Sequence, residues 1–371
     1  MINYIKPFDA LLVSSSINIG YLTNFFGFSK DEREAFLLIT GDKQYLLTDG
    51  RYIEEVKKTV EGFEILEITS TNSLKKILKS LLKKHQVKKL GIEEKNLTVH
   101  EQKTLLSHYN DTYHYSDQIN KLRSIKRNNE IEAIEKACAL GDKTFQYILT
   151  KIKQGITEKQ LAFEIEYFIK KHGADISFPP IVAFGANSSV PHHQTTNNSR
   201  LTTNSIVLLD FGTKIYNYCS DMTRTVFFGK ATSEQKRIYK TVLQAQKKAI
   251  EYLSTRFDVK TPRMVARQRP RLLRGGEIKA ADVDRIARSF IKSQGYPTIP
   301  HSLGHGIGLQ VHELPRLGPK SKDILKPGMV FSIEPGIYIE NWGGVRIEDL
   351  VVLTKTGPRL LTKAKKEIID I

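Results

Sequence analysis

HSLGHGIGLQVHE, at residues 301–313, is one of four stretches that decide the fold of this 371-residue chain. The others are IVLLDFGTKIYNYCSDMTRTVFF (206–228), SIEPGIYIE (332–340) and GGVRIEDLVVL (343–353). In these stretches apolar and β-branched residues recur as they do in β-strands. Each stretch also has an acid or a histidine where a packed sheet prefers an apolar side chain. The side chains that break the pattern are Asp210, Asp221, His305, Glu334 and Glu348.

The four carboxylates of this set need a compensating charge if the strands pack together. An ionised carboxylate is destabilised by several kcal/mol in a low-dielectric interior, and converging acids also repel one another. Divalent cations remove both problems, because Mn²⁺, Co²⁺, Fe²⁺ and Zn²⁺ accept carboxylate oxygens and imidazole, and two cations can share bridging carboxylates. His305 is the candidate nitrogen ligand, and Gly304 and Gly306 leave its backbone room to approach a metal closely. The alternative is unrelated surface acids at strand ends, which explains each acid singly but not their common setting.

These segments resemble the catalytic domain of the M24 "pita-bread" metallopeptidases, which include methionine aminopeptidase, aminopeptidase P and prolidase. The resemblance covers roughly residues 120–365. It implies a pita-bread domain over residues 119–371, with a curved, mainly antiparallel sheet covered by helices. It also implies two divalent metals, of which Mn²⁺ is the first expectation and Co²⁺ or Zn²⁺ the alternatives. In the implied ligand set Asp221 and Glu348 bridge the metals, Asp210 holds one of them, and His305 and Glu334 hold the other.

Residues 1–118 read as a separate α/β domain, in which strand-like runs alternate with turn residues. One helix is predicted here, with Leu74, Ile77, Leu78, Leu81 and Leu82 on one face and lysines on the other. YLTNF (21–25) and YLLTDGRY (45–52) resemble the N-terminal domain of creatinase, prolidase and aminopeptidase P. Methionine aminopeptidases lack that domain, so the resemblance argues against this member of the family.

Four helices are predicted after the join between the domains, the last two over residues 235–253 and 280–295. Residues 123–149 have helical periodicity, and a second helix is placed between Thr157 as N-cap and Gly173 as C-cap. Residues 257–275, FDVKTPRMVARQRPRLLRG, depart from the family pattern, which has a short loop there. This insertion carries five Arg and one Lys against one Asp. A basic arm for RNA or an acidic partner is one interpretation, and an exposed loop neutral to the chemistry is the favoured one.

Composition narrows the classes of partner and cellular location that the chain could have. The formal net charge is +17, but scattered lysines account for most of it, so nucleic acid is not the expected partner. No apolar run reaches the roughly 18 residues of a membrane span, and the first residues lack the pattern of a signal peptide. Cys138 and Cys219 are too few for a disulfide framework or a cysteine-based zinc site. A cytoplasmic location is therefore expected, without a membrane partner.

Peptide hydrolysis at two metals follows from general chemistry. A water that bridges two divalent cations becomes a hydroxide at neutral pH, and the same cations polarise a peptide carbonyl. A proton acceptor and a group that stabilises the oxyanion are still needed. The resemblance implies Glu334 as the proton shuttle and His192 and His312 as catalytic histidines near the substrate. His193 is left out, because the family motif places the histidine directly after a proline, here Pro191.

Three further positions match the proline pocket of aminopeptidase P: His301, Tyr338 and Arg346. Proline has an apolar ring and no N–H donor, so a pocket for it should present an aromatic or imidazole face. Arg346 also suits a role in orienting the bridging carboxylates through charge-assisted hydrogen bonds.

The function expected from these positions is that of an Xaa-Pro aminopeptidase, a hydrolase acting on proline-containing peptides. Prolidase, which splits Xaa-Pro dipeptides, shares every motif quoted and needs a pocket that is closed just beyond proline, often with a basic residue for the free carboxylate. Creatinase-type hydrolysis without metal is opposed by the complete ligand set. A non-catalytic nucleic-acid or protein-binding module would explain the basic charge, but not four costly acids together. The resemblance further implies a homodimer.

Overall fold

The structure is a computed structural model that describes residues 5–107, 109, 112–115, 117–256 and 277–371. The predicted basic insertion at 257–275 lies outside the described residues. Contacts divide the chain into two units, Met1–Arg123 and Ser124–Ile371, and each is described by itself. The domain boundary at residues 118 and 119 stays a prediction.

The first unit has one six-stranded sheet. Its strands are β1 (Ala10–Val13), β2 (Ala35–Thr40), β3 (Gln44–Asp49), β4 (Glu64–Ile68), β5 (Lys89–Ile92) and β6 (Thr112–Tyr115), and its helices are α1 (Ser16–Thr23), α2 (Ile53–Thr59), α3 (Leu74–Lys84), α4 (Val99–Leu105) and α5 (Gln118–Ser124). The strand order is β4-β3-β2-β1-β5-β6. The β1–β2 and β2–β3 ladders are antiparallel, and the other ladders of this sheet are parallel.

Alternation along the strands of this sheet builds a core on each face. Leu12 and Leu38 pack in the same cluster as the buried side of α3, whereas Leu11 and Leu37 belong to the cluster on the other face. In α3 the predicted apolar stripe is buried at Ile77, Leu78, Leu81 and Leu82. The prediction of an α/β unit with a surface helix packed on a sheet is therefore confirmed.

The second unit combines helices with antiparallel strands. Its helices are α6 (Asn128–Leu149), α7 (Glu158–Lys171), α8 (Ser233–Ser254) and α9 (Ala280–Ser293), and a 3-10 helix spans Gly185–Ser189. Its strands are β7 (Asp175–Ile176), β8 (Ile181–Phe184), β9 (Ser205–Phe211), β10 (Thr213–Ile215), β11 (Tyr218–Cys219), β12 (Met222–Phe228), β13 (Ile278–Lys279), β14 (Gly304–Gly306), β15 (Glu313–Leu317), β16 (Ile324–Leu325), β17 (Val330–Ile333), β18 (Gly336–Ile339), β19 (Gly343–Arg346), β20 (Asp349–Thr354) and β21 (Gly357–Leu360).

Two of its sheets carry the candidate site. One has the order β12-β9-β8 and the other the order β15-β14-β17-β20-β21. Every ladder within these two sheets is antiparallel. Helices α6 and α7 bury residues in one hydrophobic cluster with the first sheet, and α8 and α9 in another with strands of both. A mainly antiparallel sheet structure covered by helices is thus confirmed.

One predicted helix begins later than expected. Residues 123–149 were expected to form a single helix, but α6 begins at Asn128 and Arg127 is extended, with φ −75° and ψ 167°. Lys126 N donates to Gly328 O at 2.8 Å, so this stretch contacts the turn before β17 instead of continuing a helix. Helix α7 follows the prediction: Thr157 caps its start, and Gly173, with φ 74°, follows its C-cap, His172. Within the described residues, none of the helices is both long and apolar enough to cross a membrane.

We expect Thr232→Ala to lower the melting temperature of this unit by about 2–4 °C. Thr232 Oγ1 accepts from Gln235 N at the start of α8, and Gln235 Oε1 accepts from Thr232 N. Losing such a capping box costs about 1 kcal/mol, which is a shift of this size for a unit of some 150–250 residues. Thermal unfolding followed by circular dichroism measures it. Lys240→Ala, at an exposed position of the same helix, is the control and should change the melting temperature by less than 2 °C.

Candidate metal centre

The antiparallel pair β9–β12 brings Asp210 and Asp221 together. Asp210 lies opposite Thr223 in this ladder, and Asp221 immediately precedes β12. Side chains alternate along a strand, so Asp221, Thr223 and the facing Asp210 share one face. The chain between the two acids folds into the β10–β11 hairpin. Its turn residues Tyr216 and Asn217 have φ of 48° and 67°, as a type I′ turn requires.

The pair β17–β20 brings Glu334 and Glu348 together. Ile333 lies opposite Asp349, so Glu334, which follows β17, is level with Glu348, which precedes β20. Glu348 N donates to Thr223 O at 3.1 Å, which joins the start of β20 to β12. The two strand pairs therefore meet at the acids.

His305 lies in the middle of β14, between two glycines. A Cβ on Gly304 would lie 2.0 Å from Ser332 O, and a Cβ on Gly306 would lie 2.1 Å from Leu314 O. These carbonyls belong to the neighbouring strands β17 and β15. The glycines are therefore needed for strand packing, whereas the sequence had suggested room for a metal.

The five predicted ligand side chains converge on one cavity of about 670 Å³. His305 Nε2 lies 3.3 Å from Glu334 Oε1 and 3.7 Å from Asp221 Oδ2. One ligand atom each from Asp221, His305 and Glu348 lies within 4.8 Å of the other two. Asp210 also lines this cavity.

Three carboxylate oxygens of this cluster are buried and have no hydrogen-bond partner among the described residues: Asp210 Oδ1, Asp221 Oδ1 and Glu348 Oε1. A buried acceptor that lacks a donor is destabilising, and native proteins leave few of them. Cations bound among these acids would supply the missing partners, and a set of carboxylates with one imidazole is a donor set that first-row divalent metals accept. The residues present therefore fit a divalent metal centre.

Burial and mutual repulsion raise the pKa of the acids. Burial raises the pKa of Asp221 and Glu334 well above their ordinary values, and the nearby Glu348 raises both further. Burial and the proximity of Asp210 raise the pKa of Glu348 to about 8. Burial also raises the pKa of Asp210, although Arg346 opposes the shift. Without a cation, the folded chain would keep protons here at neutral pH, where an unfolded chain has already released them.

His305 is in the neutral form that a metal ligand requires. Burial and the nearby His312 lower the pKa of His305 to about 4, and the two ring centroids are 4.3 Å apart. His305 Nδ1 lies 3.2 Å from Gly306 O, a carbonyl that only accepts. Nδ1 therefore carries the proton, and the lone pair of Nε2 faces the acids.

Arg346 connects the acids to the predicted proline pocket. Its Nη2 donates to Asp210 Oδ2 at 2.6 Å, and its Nη1 donates to Tyr338 Oη at 2.8 Å. His301 Nδ1 lies 2.7 Å from Ser302 O, so Nδ1 carries the proton and Tyr338 donates to His301 Nε2 at 2.9 Å. Burial lowers the pKa of His301 to about 4, which keeps the ring neutral.

The two outer histidines reach the cavity from loops. His192 and His312 line the same cavity as the acids, and so do His301 and Arg346. His193 does not line it; its Nε2 lies 2.8 Å from Glu158 Oε2. The structure thus brings together every site residue predicted from the sequence. Tyr338 is joined to the others by its hydrogen bonds to His301 and Arg346. The roles of these residues stay predictions.

Comparison with known proteins places this site in a family. A family model described as "Metallopeptidase family M24" matches residues 132–355, and one described as "Creatinase/Prolidase N-terminal domain" matches residues 6–125. The chain belongs to metallopeptidase family M24.

Relatives of this M24 chain match it over nearly its whole length. An uncharacterized peptidase, YqhT of Bacillus subtilis (strain 168), is 36% identical over 97% of this chain and 95% of its own. The Xaa-Pro dipeptidase from Bacillus anthracis superposes with a TM-score of 0.86 at 32% identity, covering 98% of this chain and 95% of its own. The X-Pro aminopeptidase from Thermotoga maritima MSB8 superposes with a TM-score of 0.82 at 29% identity, covering 98% of both chains. The predicted architecture, a creatinase-like domain followed by a pita-bread domain, is confirmed.

Sequence reasoning missed the polar residues that hold the acids of this M24 site. Thr223 Oγ1 donates to Glu348 Oε2 at 2.7 Å and accepts from Arg346 Nε at 2.9 Å. Arg224, whose side chain is 1% exposed, pairs with the buried Asp349 at 2.7 Å. Thr223 follows Asp221 by two positions, so in a strand both side chains point to the same face. Arg224 is a charged residue within a strand-like stretch. Either feature could have been read from the sequence.

We expect the metal-free protein to lose stability as the pH rises from about 4.5 to about 8. Glu348 has a pKa of about 8 when folded against an ordinary value of 4.5. Across this window the unfolded state has released a proton that the folded state keeps, so rising pH favours unfolding. A bound cation replaces such protons, so saturating Mn²⁺ should raise the melting temperature more at pH 8 than at pH 6.

Thermal unfolding in a chelator or in excess Mn²⁺ measures both effects. Glu348→Gln cannot ionise at this position and should make the metal-free pH dependence shallower. A metal-free melting temperature that climbs between pH 6 and pH 8 would contradict the assignment.

Proposed function

We propose that this chain is a metal-dependent exopeptidase that hydrolyses Xaa-Pro bonds at the N-terminus of short peptides. The observation that carries the proposal is the convergence of Asp210, Asp221, His305, Glu334 and Glu348, with three orphaned buried oxygens, in a cavity that also holds imidazoles. Its membership of a metallopeptidase family supports hydrolysis of a peptide bond. Two structural neighbours, an Xaa-Pro dipeptidase and an X-Pro aminopeptidase, support the choice of bond.

In this proposal Asp210, Asp221, His305, Glu334 and Glu348 are the side chains that would hold two divalent cations. When bound, such cations activate water and polarise the scissile carbonyl. Mn²⁺ is the ion to try first, and Co²⁺ and Zn²⁺ suit the same donors.

The chain's own residues supply the remaining chemistry. Ser332 Oγ donates to Glu334 Oε1 at 3.1 Å, which orients that carboxylate. We assign to Glu334 the transfer of a proton from the attacking water to the leaving amine. His192 and His312 lie on the cavity wall, where an imidazole N–H would stabilise the developing oxyanion. Burial lowers the pKa of His312, so it donates as a neutral ring.

The cavity wall suits a proline ring. Phe178, Ile181, Val311 and Leu314 line it together with His301. Tyr338 donates to His301 Nε2 and accepts from Arg346, so both ring nitrogens of His301 are engaged and its imidazole lines the cavity without requiring an N–H from the substrate.

Substrate length is the finer part of the proposal. A dipeptide ends in a free carboxylate directly after proline, and a positively charged side chain at that place would bind it. Besides Arg346, which Asp210 and Tyr338 engage, Arg316 also lines the cavity. Arg316 Nε donates to Ser302 Oγ at 3.1 Å, while its Nη atoms make no hydrogen bond to the described residues. This position favours Xaa-Pro dipeptides, with the aminopeptidase expected from the sequence as the second candidate.

We expect Asp221→Asn and Glu348→Gln to lose bound metal and peptidase activity together, each by more than about 100-fold. Each substitution replaces a charged carboxylate with a neutral amide, which binds a cation more weakly. Substituting even the residues that hydrogen-bond to metal ligands commonly lowers metal affinity or activity about 10- to 100-fold. Metal content after dialysis against Mn²⁺, together with hydrolysis of Ala-Pro, measures this. Glu234→Gln, an exposed acid in the first turn of α8, is the control and should keep both. Full activity in either ligand variant would refute the metal assignment.

We expect wild-type protein with Mn²⁺ to cleave Ala-Pro faster than Ala-Pro-Ala, and Arg316→Gln to remove that preference. A charge-assisted hydrogen bond contributes about 1.5–3 kcal/mol, so the KM for Ala-Pro should rise about 10- to 100-fold while that for Ala-Pro-Ala stays within about threefold. Lys320→Gln, exposed and outside the cavity lining, is the matched control. A wild-type preference for the tripeptide would establish the aminopeptidase candidate instead.

A further inference from the structure

The two adjacent histidines of the loop after β8 have different surroundings. His192 lines the cavity and its imidazole makes no hydrogen bond with the described residues. His193 turns away from the cavity, is 15% exposed, and its Nε2 lies 2.8 Å from Glu158 Oε2. Since a carboxylate accepts, Nε2 of His193 carries the proton.

Glu158 is a fully buried carboxylate at the first residue of α7. Its Oε1 accepts from Phe184 N and Asn187 Nδ2, both at 2.8 Å. Its Oε2 accepts from His193 Nε2 at 2.8 Å and from Thr196 N at 3.1 Å. Four donors thus meet an acceptor-only group, and the N-terminus of the helix favours its negative charge.

These bonds tie the His192 loop, residues 190–196, to β8 and α7. Val182 N donates to Thr195 Oγ1 at 3.0 Å, and Lys159 N donates to Thr196 O at 3.2 Å. The loop residues that make these bonds, His193, Thr195 and Thr196, all follow His192 in the chain. On the other side Pro191 O accepts from Arg346 Nη1 at 3.4 Å, a longer bond. Because no hydrogen bond to the described residues fixes the imidazole of His192, its place in the cavity depends on how the loop backbone is held.

We propose that Glu158 and His193 act as a pair of positioning residues that hold His192 at the place where it meets the reacting peptide. The inference rests on the proposed function, because it gives His192 a task in the reaction. Neither Glu158 nor His193 lines the cavity, so neither touches substrate. The pair acts only through the loop backbone, and its effect should fall on the step in which His192 takes part.

The test uses full-length protein loaded with Mn²⁺ and hydrolysis of Ala-Pro. His193→Leu removes the donor at a partly exposed loop position that the fold tolerates, and His193→Gln restores an N–H of similar reach. Gln194→Leu, at the exposed next position, whose side chain makes no hydrogen bond with the described residues, is the matched control. Glu158→Gln is a second variant, because its amide N–H₂ must face at least one of the four donors.

We expect His193→Leu to lower kcat about 10- to 100-fold, the size of effect that a misplacement near 1 Å produces. KM and bound metal should stay within about twofold, because the interaction lost belongs to the transition state. His193→Gln should recover most of the kcat, and Gln194→Leu should match the wild type. In a His192→Ala background, His193→Leu should lower kcat no further.

A second readout does not depend on catalysis. Hydrogen exchange of peptides covering residues 182–198 should quicken at least tenfold in His193→Leu and Glu158→Gln, and stay unchanged in Gln194→Leu.

Two results would overturn the inference alone: an unchanged kcat in His193→Leu, or the same fall in kcat with and without His192. In either case the wild type would still cleave Ala-Pro, and the proposed function would stand. A metal-loaded wild type that cleaves no Xaa-Pro peptide would overturn the proposed function and the inference with it. The wild-type rate therefore tells the two failures apart.

Discussion

Repulsion among buried carboxylates is the constraint on which the rest of the catalytic unit depends. Asp210, Asp221, Glu334 and Glu348 lie in one cavity, and burial raises the pKa of each of them. A protein that only needed stability would place apolar side chains here, because unsatisfied acids in a low-dielectric interior oppose folding. The arrangement becomes favourable when cations occupy it, so the fold and the chemistry share one requirement.

The surrounding structure is organised to hold these acids at their spacing. Two antiparallel strand pairs supply the acids in register, and Thr223 joins them by accepting at its carbonyl from Glu348 N and donating its hydroxyl to Glu348 Oε2. Beneath them Arg224 donates to the carbonyls of Thr223 and Glu348 and pairs with Asp349. Although burial alone would raise the pKa of Asp349, Arg224 and Lys366 hold it below its ordinary value. In the metal-free chain Asp349 therefore stays ionised at neutral pH while its neighbour Glu348 keeps its proton, and this difference distinguishes the acid paired with Arg224 from the candidate ligand acid.

The histidines proposed to contact the substrate, His192 and His301, lie on loops, and these loops are anchored differently from the acids. His301 is fixed by hydrogen bonds at both ring nitrogens, whereas His192 depends on the anchoring of the chain after it. The strand-borne groups are therefore held by ladders, and the loop-borne ones by a few buried polar contacts. Substitutions at the first class should change metal binding, and substitutions at the second should change turnover.

The five candidate ligands, which line one cavity, could be selected from the sequence because each breaks the apolar pattern of its own strand-like stretch, a local property. The predicted helix faces and the cap at Thr157 are equally local and agree with the structure. The partners of these residues lie far away in the chain: Thr223 and Glu348 are 125 positions apart, and Glu158 and His193 are 35 apart. No periodicity within one segment reports such pairs, since strand register and loop path arise only when separate segments pack. Sequence alone thus determined which side chains are chemically able to bind metal. Tertiary structure decided what surrounds them, which of two neighbouring histidines faces the cavity, and which cavity arginine has Nη atoms that make no hydrogen bond to the described residues.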